Sequence, residues 1–192
     1  GQFTHPSTAH PSRWRTMAKI EGERAFLPVN IAVMTVSDSR TIDNDTSGQV
    51  LADRLTGAGH HLAERAIVTD NRDAIIAKLK VWIDNPEIDA VITTGGTGVT
   101  GRDVTPEAFQ AVVEKEVPGF GELFRWISFA KIKTSAIQSR ATAGVAGGTY
   151  LFALPGSPGA CKDAWDEILV HQLDSRSRPC NFVELMPRLN EQ

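Results

Sequence analysis

The sequence has few of the residues that usually mark a metal centre or a disulfide framework. It contains two cysteines and five histidines in 192 residues, and none of them has the spacing of a zinc or iron site. So few cysteines exclude a disulfide-dense secreted domain. Cys161 falls on an apolar helical stripe, so we expect it to pack in the core rather than to react.

Long apolar runs and an excess of basic charge are also absent. No run approaches the roughly 20 apolar residues that span a bilayer, and the N-terminal residues lack the hydrophobic core of a secretory signal. The 20 basic and 23 acidic residues give a formal net charge of −3, without the basic patch of a nucleic-acid surface. These absences predict a cytoplasmic protein that binds a small molecule, with no membrane or nucleic-acid partner.

The length and the hydrophobic content of 41% predict one domain with a full core. Residues 1–27 are rich in His, Pro, Ser, Thr and charge and have no hydrophobic period, which favours a flexible extension. Part of it, ahead of Met17, could be foreign to the natural chain. Residues 28–183 are expected to form the domain, and residues 184–192 a C-terminal tail.

From Asn30 onward, strand and helix signals alternate along the chain. Apolar runs that end in small polar residues predict buried parallel strands; they are IAVMTV and residues 62–68, 90–94 and 149–154. Stripes of helical period separate them. Such alternation predicts an α/β domain whose mostly parallel sheet is covered by helices on both faces. The segment TSAIQSRATAGVAGG has no period, and we interpret it as a loop or a short helix.

Four of the predicted strands end in loops that carry ligand-binding chemistry. These loops are Ser37-Asp38-Ser39, Thr69-Asp70-Asn71, a glycine-rich turn, and Pro155-Gly156-Ser157-Pro158. Ligands of open parallel sheets bind outside the carboxyl ends of the strands. We therefore expect the four loops to lie along one edge and to form one pocket.

The glycine-rich turn lies in VITTGGTGVTGRDVTPEA, from Val91 to Ala108. Its glycines have no Cβ, so they can adopt positive φ or lie flat against a ligand; they are Gly95, Gly96, Gly98 and Gly101. Arg102 offers a fork of donors for phosphate oxygens, and Asp103 offers a carboxylate for Mg²⁺. Thr105-Pro106 predicts a capped helix start. The segment therefore predicts a phosphate-binding turn at a helix N-terminus.

Two common phosphate motifs are similar to this turn without matching it. The glycines spell GxGxxG, but two strand-like segments precede it and Pro106 delays the helix, unlike the dinucleotide fold. Arg102 and Asp103 stand where a Walker loop needs lysine and a hydroxyl. A purely structural turn would explain one or two glycines, but it leaves the adjacent Arg-Asp-x-Thr cluster unexplained.

Two anion cradles and two carboxylates predict the chemistry of the pocket. Ser157-Pro158 repeats the cap-then-proline pattern, so a second helix N-terminus is expected there. Asp70 and Asp103 beside phosphates are unfavourable unless a divalent cation lies between them, which implies Mg²⁺. Such a site favours phosphoryl or nucleotidyl transfer. Simpler roles stay open: Asp70 could cap the following helix, and Asp38 could brace its own turn.

The sequence is similar to the MoaB/MogA family of molybdenum cofactor biosynthesis proteins, over about residues 26–182. The most specific motifs are GGTG followed by RDxTPE, together with PGSP; SDSR, TSAIQSRATAGVAGGT and the MoaB-like ending QLDSRSRPCNF add to them. The resemblance implies a three-layer α/β/α sandwich with a mixed, mostly parallel sheet. It also implies assembly as a homotrimer or homohexamer and partners among other proteins of the cofactor pathway.

The resemblance further implies an activity and a set of site residues. Active members bind molybdopterin and ATP as substrates and, with Mg²⁺, form adenylyl-molybdopterin and pyrophosphate. The family's essential acidic positions fall on Asp70 and Asp103, which are also the expected Mg²⁺ ligands. The expected binding residues are Ser37, Asp38, Gly95, Gly96, Thr97, Gly98, Arg102, Thr105, Glu107, Ser139, Arg140, Pro155, Gly156 and Ser157.

Two other functions remain possible on the sequence alone. A non-catalytic molybdopterin-binding or carrier protein would share the pocket without the transfer reaction. A regulatory or scaffold module would share only the sheet architecture.

Overall fold

A computed structural model describes residues 24–192 of the chain. Its strands are β1 (Asn30–Val36), β2 (His61–Val68), β3 (Ala90–Thr94), β4 (Lys115–Glu116), β5 (Thr142–Ala146) and β6 (Thr149–Leu154). They form one sheet in the order β2-β1-β3-β6-β5-β4. The first four strands of this order are parallel, and the pairs β6-β5 and β5-β4 are antiparallel. The predicted mixed, mostly parallel sheet is therefore confirmed.

Helices cover both faces of the sheet. They are α1 (Thr46–Gly57), α2 (Arg72–Ile83), α3 (Thr105–Val112), α4 (Pro118–Ile132), α5 (Pro158–Ala164), α6 (Val170–Gln172) and α7 (Phe182–Leu185). A π-helical turn, Trp165–Leu169, joins α5 to α6, and 3-10 turns follow α4 (Lys133–Gln138) and α7 (Met186–Arg188). Within residues 24–192, no helix combines the length and the hydropathy of a membrane span.

Alternating side chains of the strands feed two apolar cores, one on each face. On β1, Ile31 and Val33 join the core that α1, α4 and α5 cover, whereas Ala32 and Met34 join the core under α2 and α3. Successive residues of a strand point to opposite faces. The sequences of central strands that are covered on both sides are therefore continuous apolar runs. This arrangement confirms the predicted three-layer α/β/α architecture.

The segment TSAIQSRATAGVAGG contains a strand that the sequence interpretation misses. Its first part is the 3-10 turn after α4, in keeping with a short helix, but β5 then pairs with β6 through a tight hairpin. Gly147 and Gly148 have φ of +56° and +82°, as a two-residue hairpin turn of this hand requires. A Cβ on Gly144 would lie 2.4 Å from Val113. Close packing thus selects the small residues that hide the strand pattern.

Residues just ahead of the expected domain start at residue 28 also contact the domain. Of the predicted extension 1–27, residues 1–23 lie outside the described residues. The described part of this extension, residues 24–27, contacts the domain through Ser175. The Ser175 hydroxyl donates to the carbonyl of Ala25 (2.8 Å) and accepts from the N–H of Leu27 (2.9 Å).

Part of the expected C-terminal tail, residues 184–192, also packs on the domain. Met186 and Leu189 contact the core beneath α4 and α5. The hydroxyl of Tyr150 in β6 donates to the carbonyl of Phe182 (2.9 Å), and the two rings lie 4.7 Å apart. The last helix therefore shields one end of the central sheet.

His60 is buried just before β2, between the rings of Phe26 and Trp165. Its Nδ1 accepts a hydrogen bond from the N–H of Val29 (2.9 Å), so that nitrogen carries no proton. Burial lowers the pKa of His60 to about 4, although the negative charge of Asp174 opposes the shift.

We predict that His60 destabilises the fold as the pH falls below about 6.5. The unfolded chain binds the proton with a pKa near 6.5 and the folded chain only near 4. Unfolding therefore takes up a proton between these values, and stability is lost as the pH decreases. In urea unfolding at pH 7 and pH 4.5, His60→Gln should remove on the order of 2 kcal/mol of this pH dependence.

His61→Gln is the matched control, because the neighbouring His61 is exposed on β2. It should retain most of the pH dependence of the wild type, because the charge of His61 is the smallest of the three causes of the shift at His60. If the stability of the wild type and of His60→Gln depended equally on pH, His60 would not be the cause of the loss of stability at low pH.

Candidate active site at the carboxyl ends of the parallel strands

The four loops that follow the parallel strands meet at one edge of the sheet. The N–H of Ser37, after β1, donates to the carbonyl of Val68 at the end of β2 (2.8 Å). The N–H of Gly95, after β3, donates to the carbonyl of Leu154 at the end of β6 (3.0 Å). Direct hydrogen bonds thus join neighbouring strand ends, and the loops lie side by side as expected from the sequence. We call this edge the rim.

Only the first two glycines of the turn need the backbone freedom of glycine. Gly95 and Gly96 have φ of +104° and +72°, and a Cβ on Gly95 would lie 2.4 Å from the carbonyl oxygen of Val36. Gly98 has no positive φ, but a Cβ there would lie 2.6 Å from Oδ2 of Asp103. At Gly101 a Cβ would meet nothing within 4 Å. At Gly101, the third glycine of the GxGxxG pattern, the structure therefore leaves room for a side chain.

Thr105 does not cap α3, so the predicted capping role is wrong. It is the first residue of the helix, and Val104 holds the cap position without a side-chain hydrogen bond. The Thr105 hydroxyl donates to the carbonyl of Gly95 (2.8 Å), and its N–H donates to the carbonyl of Gly96 (3.1 Å). Thr105 is fully buried. Its side chain fixes the glycine turn from inside the protein rather than facing a ligand.

Arg140 binds the same turn at three points. Its N–H donates to the carbonyl of Thr97 (2.8 Å), its Nε to that of Gly98 (2.7 Å) and its Nη2 to that of Asp103 (2.9 Å). The remaining nitrogen, Nη1, pairs with a carboxylate oxygen of Glu107 in the first turn of α3 (2.5 Å). The hydrogen bond from Arg140 lowers the pKa of Glu107. Both predicted binding residues thus contact the protein itself.

Asp38 links three of the rim loops. One of its carboxylate oxygens accepts the N–H of Asp70 (2.9 Å), and the other pairs with the largely exposed guanidinium of Arg102. The Ser37 hydroxyl accepts the N–H of Ser39 (3.2 Å). Ser37 therefore braces the turn after β1, and Asp38 braces the neighbouring loops instead.

Asp70 and Asp103 interact across the rim. Partial burial raises the pKa of Asp70, and the negative charge of Asp103 raises it further. Oδ2 of Asp103 accepts both the N–H (3.0 Å) and the hydroxyl (2.8 Å) of Thr100. The cap of α2 is Asn71, which accepts the N–H of Ala74 (2.9 Å). The capping alternative for Asp70 is therefore wrong.

The two carboxylates fit a magnesium ion that arrives with a phosphate ligand. Among the described residues, no three His, Cys, Asp or Glu side chains gather into a ready metal site. Mg²⁺ typically takes one or two carboxylates and completes its octahedron with water and phosphate oxygens. The repulsion that Asp103 exerts on Asp70 is what a cation between them would relieve.

The loop after β6 approaches the glycine turn closely. The Thr94 hydroxyl donates to the carbonyl of Pro155 (2.7 Å), and a Cβ on Gly156 would lie 3.3 Å from Cα of Gly95. Ser157 caps α5 as predicted, since its hydroxyl oxygen accepts the N–H of Ala160 (3.1 Å).

Buried groups that the sequence pattern does not identify support this loop. Ser47 donates to the carbonyl of Gly156 (2.8 Å). Beside it, Asp45 caps α1, accepts the hydroxyl of Thr35 (2.6 Å) and pairs with Arg65 (3.2 Å). An acidic residue before a helical run is a recognisable cap signal, but its contacts with β1 and β2 depend on the tertiary fold.

Cys161 lies behind the rim and does not open onto it. It is fully buried, with its sulfur 3.2 Å from the Thr94 hydroxyl, and burial raises its pKa to about 11. Cys161 and Cys180 are both free of disulfides. The expected packing role of Cys161 is confirmed, and the thiol is not a nucleophile at neutral pH.

A cavity of about 410 Å³ opens between the glycine turn and α4. Phe124, Ser128 and Ile132 of α4 form one wall, and the glycine turn, Asp103 and the loop after β6 form the other. Ser139, a predicted binding residue, lies at the end of the cavity with Gln138. Apolar walls with a few polar groups are typical of ligand pockets. The sequence analysis misses α4 as part of the site because its apolar residues carry no motif.

Sequence comparisons relate these features to known proteins. Residues 32–175 match the model of a probable molybdopterin binding domain. The chain is 51% identical over 157 residues to molybdenum cofactor biosynthesis protein B of Escherichia coli (strain K12), which covers 82% of this chain and 92% of that protein. It is 44% identical over 146 residues to the protein of the same name from Bacillus subtilis (strain 168), covering 76% and 86%.

A solved structure shows the same architecture. The crystal structure of a molybdenum cofactor biosynthesis protein B superimposes with a TM-score of 0.76 at 41% identity, over 78% of this chain and 94% of that one.

We predict that Gly95 is essential for the rim while Gly101 is not. Gly95→Ala should lower the free energy of unfolding by about 2 to 4 kcal/mol, because Cβ would collide with the backbone of β1 at an unfavourable φ. Gly101→Ala, in the same turn, should change it by less than about 0.5 kcal/mol. Urea denaturation of both variants measures the difference, and similar stabilities would refute it.

We also predict that Asp103→Asn lowers the pKa of Asp70. The shift should be toward the ordinary value without reaching it, because burial is the larger cause of the raised pKa. Carbon-detected NMR titration of the carboxyl group measures this directly. Asp73→Asn, at an exposed position in the first turn of α2, should leave the titration of Asp70 unchanged. An unaltered Asp70 titration in Asp103→Asn would show that the two carboxylates are not coupled.

Proposed function

The chain belongs to the MoaB/MogA family of molybdenum cofactor biosynthesis proteins, and from that premise we propose that it is a molybdopterin adenylyltransferase. Residues 32–175 form its molybdopterin-binding domain. In the proposed reaction, a terminal phosphate oxygen of molybdopterin attacks the α-phosphorus of ATP. The bond from the α-phosphorus to the bridging oxygen breaks, and pyrophosphate leaves.

The observation that carries the proposal is the coupled pair Asp70 and Asp103 beside the glycine turn. A carboxylate whose pKa is raised by the negative charge of a second one, as at Asp70, is unfavourable next to phosphates unless a divalent cation neutralises the pair. When bound, Mg²⁺ would be held by Asp70 and Asp103 and would neutralise charge on the triphosphate. A molybdopterin carrier has no need for this pair.

Other groups at the rim and in the cavity bind and orient the two substrates. Phe124 and Ile132 line the cavity and give it an apolar wall that suits a pterin ring. Backbone N–H groups of the glycine turn and of the capped start of α5 suit phosphate oxygens. The exposed guanidinium of Arg102 can leave Asp38 for a phosphate, because such an exposed pair contributes little stability.

Direct transfer without a covalent enzyme intermediate agrees with the groups at the rim. The one thiol nearby, Cys161, is buried and has a raised pKa. Phosphoryl and nucleotidyl transfer depend mainly on positioning and charge neutralisation. The chain supplies both through rigid loops rather than through a nucleophile.

Homotrimeric or homohexameric assembly and contacts with other pathway proteins stay predictions from the resemblance. Exposed apolar side chains on and after α4 support an assembly surface; they are Leu123, Trp126, Phe129, Ile132 and Ile137. Contiguous exposed apolar surface is typical of protein contacts. A cytoplasmic location likewise stays a prediction.

We predict that Asp70→Asn and Asp103→Asn each reduce pyrophosphate release from ATP and molybdopterin at least about 100-fold, as expected for lost electrostatic stabilisation. Molybdopterin binding, followed by fluorescence of the pterin, should persist in both variants. Asp73→Asn is the matched acidic control and should keep wild-type turnover. Tight pterin binding without pyrophosphate release by the wild type would instead favour the carrier function.

A further inference from the structure

The segment Gly98–Asp103 carries a proposed metal ligand on an exposed loop. Val99 is 66% exposed, and the hydrogen bonds within the segment join Thr100 to Asp103. These local bonds fix the shape of the loop. They do not fix its position relative to the sheet, so that position depends on contacts with other parts of the chain.

Arg140 supplies these contacts at both ends of the loop. Its Nε binds the carbonyl of Gly98 where the loop begins, and its Nη2 binds the carbonyl of Asp103 where it ends. Arg140 lies two residues before β5, and its own N–H binds the carbonyl of Thr97. One planar guanidinium thus ties the loop to the antiparallel side of the sheet.

Glu107 sets the orientation of this guanidinium. It binds Nη1 from the first turn of α3, so every nitrogen of the guanidinium has a partner in the protein. The charge of the carboxylate is also balanced by Arg140. Nη1 and Nη2 each keep a second N–H, but any movement of the guanidinium toward a ligand would disturb its contacts with the loop.

We propose that Arg140 is a positioning residue that holds Asp103 in place, with Glu107 orienting it. The inference rests on the proposed function only for the role of Asp103 as a metal ligand. A lysine at this position would keep the positive charge, but its single ammonium group could replace only some of the hydrogen bonds that the planar guanidinium makes.

The first test follows the loop itself by amide hydrogen exchange. Arg140→Gln and Arg140→Lys should raise the exchange rates of amides 98–103 at least about tenfold, because local opening becomes easier. Glu107→Ala should do the same, whereas Glu107→Gln should retain most protection, because its amide oxygen still accepts from Nη1. Arg54→Gln removes an exposed ion pair with Asp166 on distant helices and should leave these amides unchanged.

The second test separates positioning from phosphate binding. Arg140→Lys should raise the Mg²⁺ concentration for half-maximal pyrophosphate release about 10-fold or more, as for other residues that orient metal ligands. The KM for molybdopterin should stay near the wild-type value, and excess Mg²⁺ should restore part of the rate. Arg54→Gln should keep wild-type kinetics.

Two results would overturn the inference. One is unchanged exchange of amides 98–103 in both Arg140→Gln and Glu107→Ala. The other is a raised KM for molybdopterin with an unchanged Mg²⁺ requirement, which would make Arg140 a substrate ligand. A wild type without turnover would contradict the proposed function alone, because the exchange measurement still decides the positioning role.

Discussion

The close passage of Gly95 over the end of β1 is the constraint on which the rim depends. Its N–H binds the end of β6, its carbonyl accepts the Thr105 hydroxyl, and the space for a Cβ is taken by Val36. Gly95 is thereby hydrogen-bonded to β6 and to the start of α3, and it lies against the end of β1. The loop after β6 also passes close to it, because a Cβ on Gly156 would lie 3.3 Å from Cα of Gly95.

Charge at the rim is organised in two separate ways. Asp38 and Arg102 form an exposed ion pair. Arg102 can leave it to bind a ligand at little cost in stability. Arg140 and Glu107, in contrast, form a pair whose other contacts are backbone carbonyls, so breaking it would release the loop. Residues of the same chemical type thus serve binding in one place and structure in the other. Their contacts, rather than their identity, distinguish the two roles.

Much of the fold follows from the sequence, because it depends on local patterns. Apolar runs identify the parallel strands, and the rule for their carboxyl ends brings the loops together. The capping role predicted for Thr105 and the alternative that Asp38 braces its own turn are wrong, because the hydrogen-bond partners of both side chains lie on loops that only the tertiary fold brings near. β5 is missed because packing against Val113 selects small residues. The wall formed by α4 is missed because apolar contacts with a ligand leave no motif.

The coupling between Asp70 and Asp103 links binding of protons, cations and phosphates at the rim. Without a cation between them, the negative charge of Asp103 adds to the effect of burial and raises the pKa of Asp70. A divalent cation that replaces the proton balances the charge of both carboxylates, so that a phosphate no longer meets net negative charge at the pair. A phosphate alone adds to the repulsion, whereas a Mg²⁺ ion held by one or two carboxylates can take phosphate oxygens in place of some of its waters. The same pair of acids therefore disfavours a bare phosphate and favours a metal-bound triphosphate.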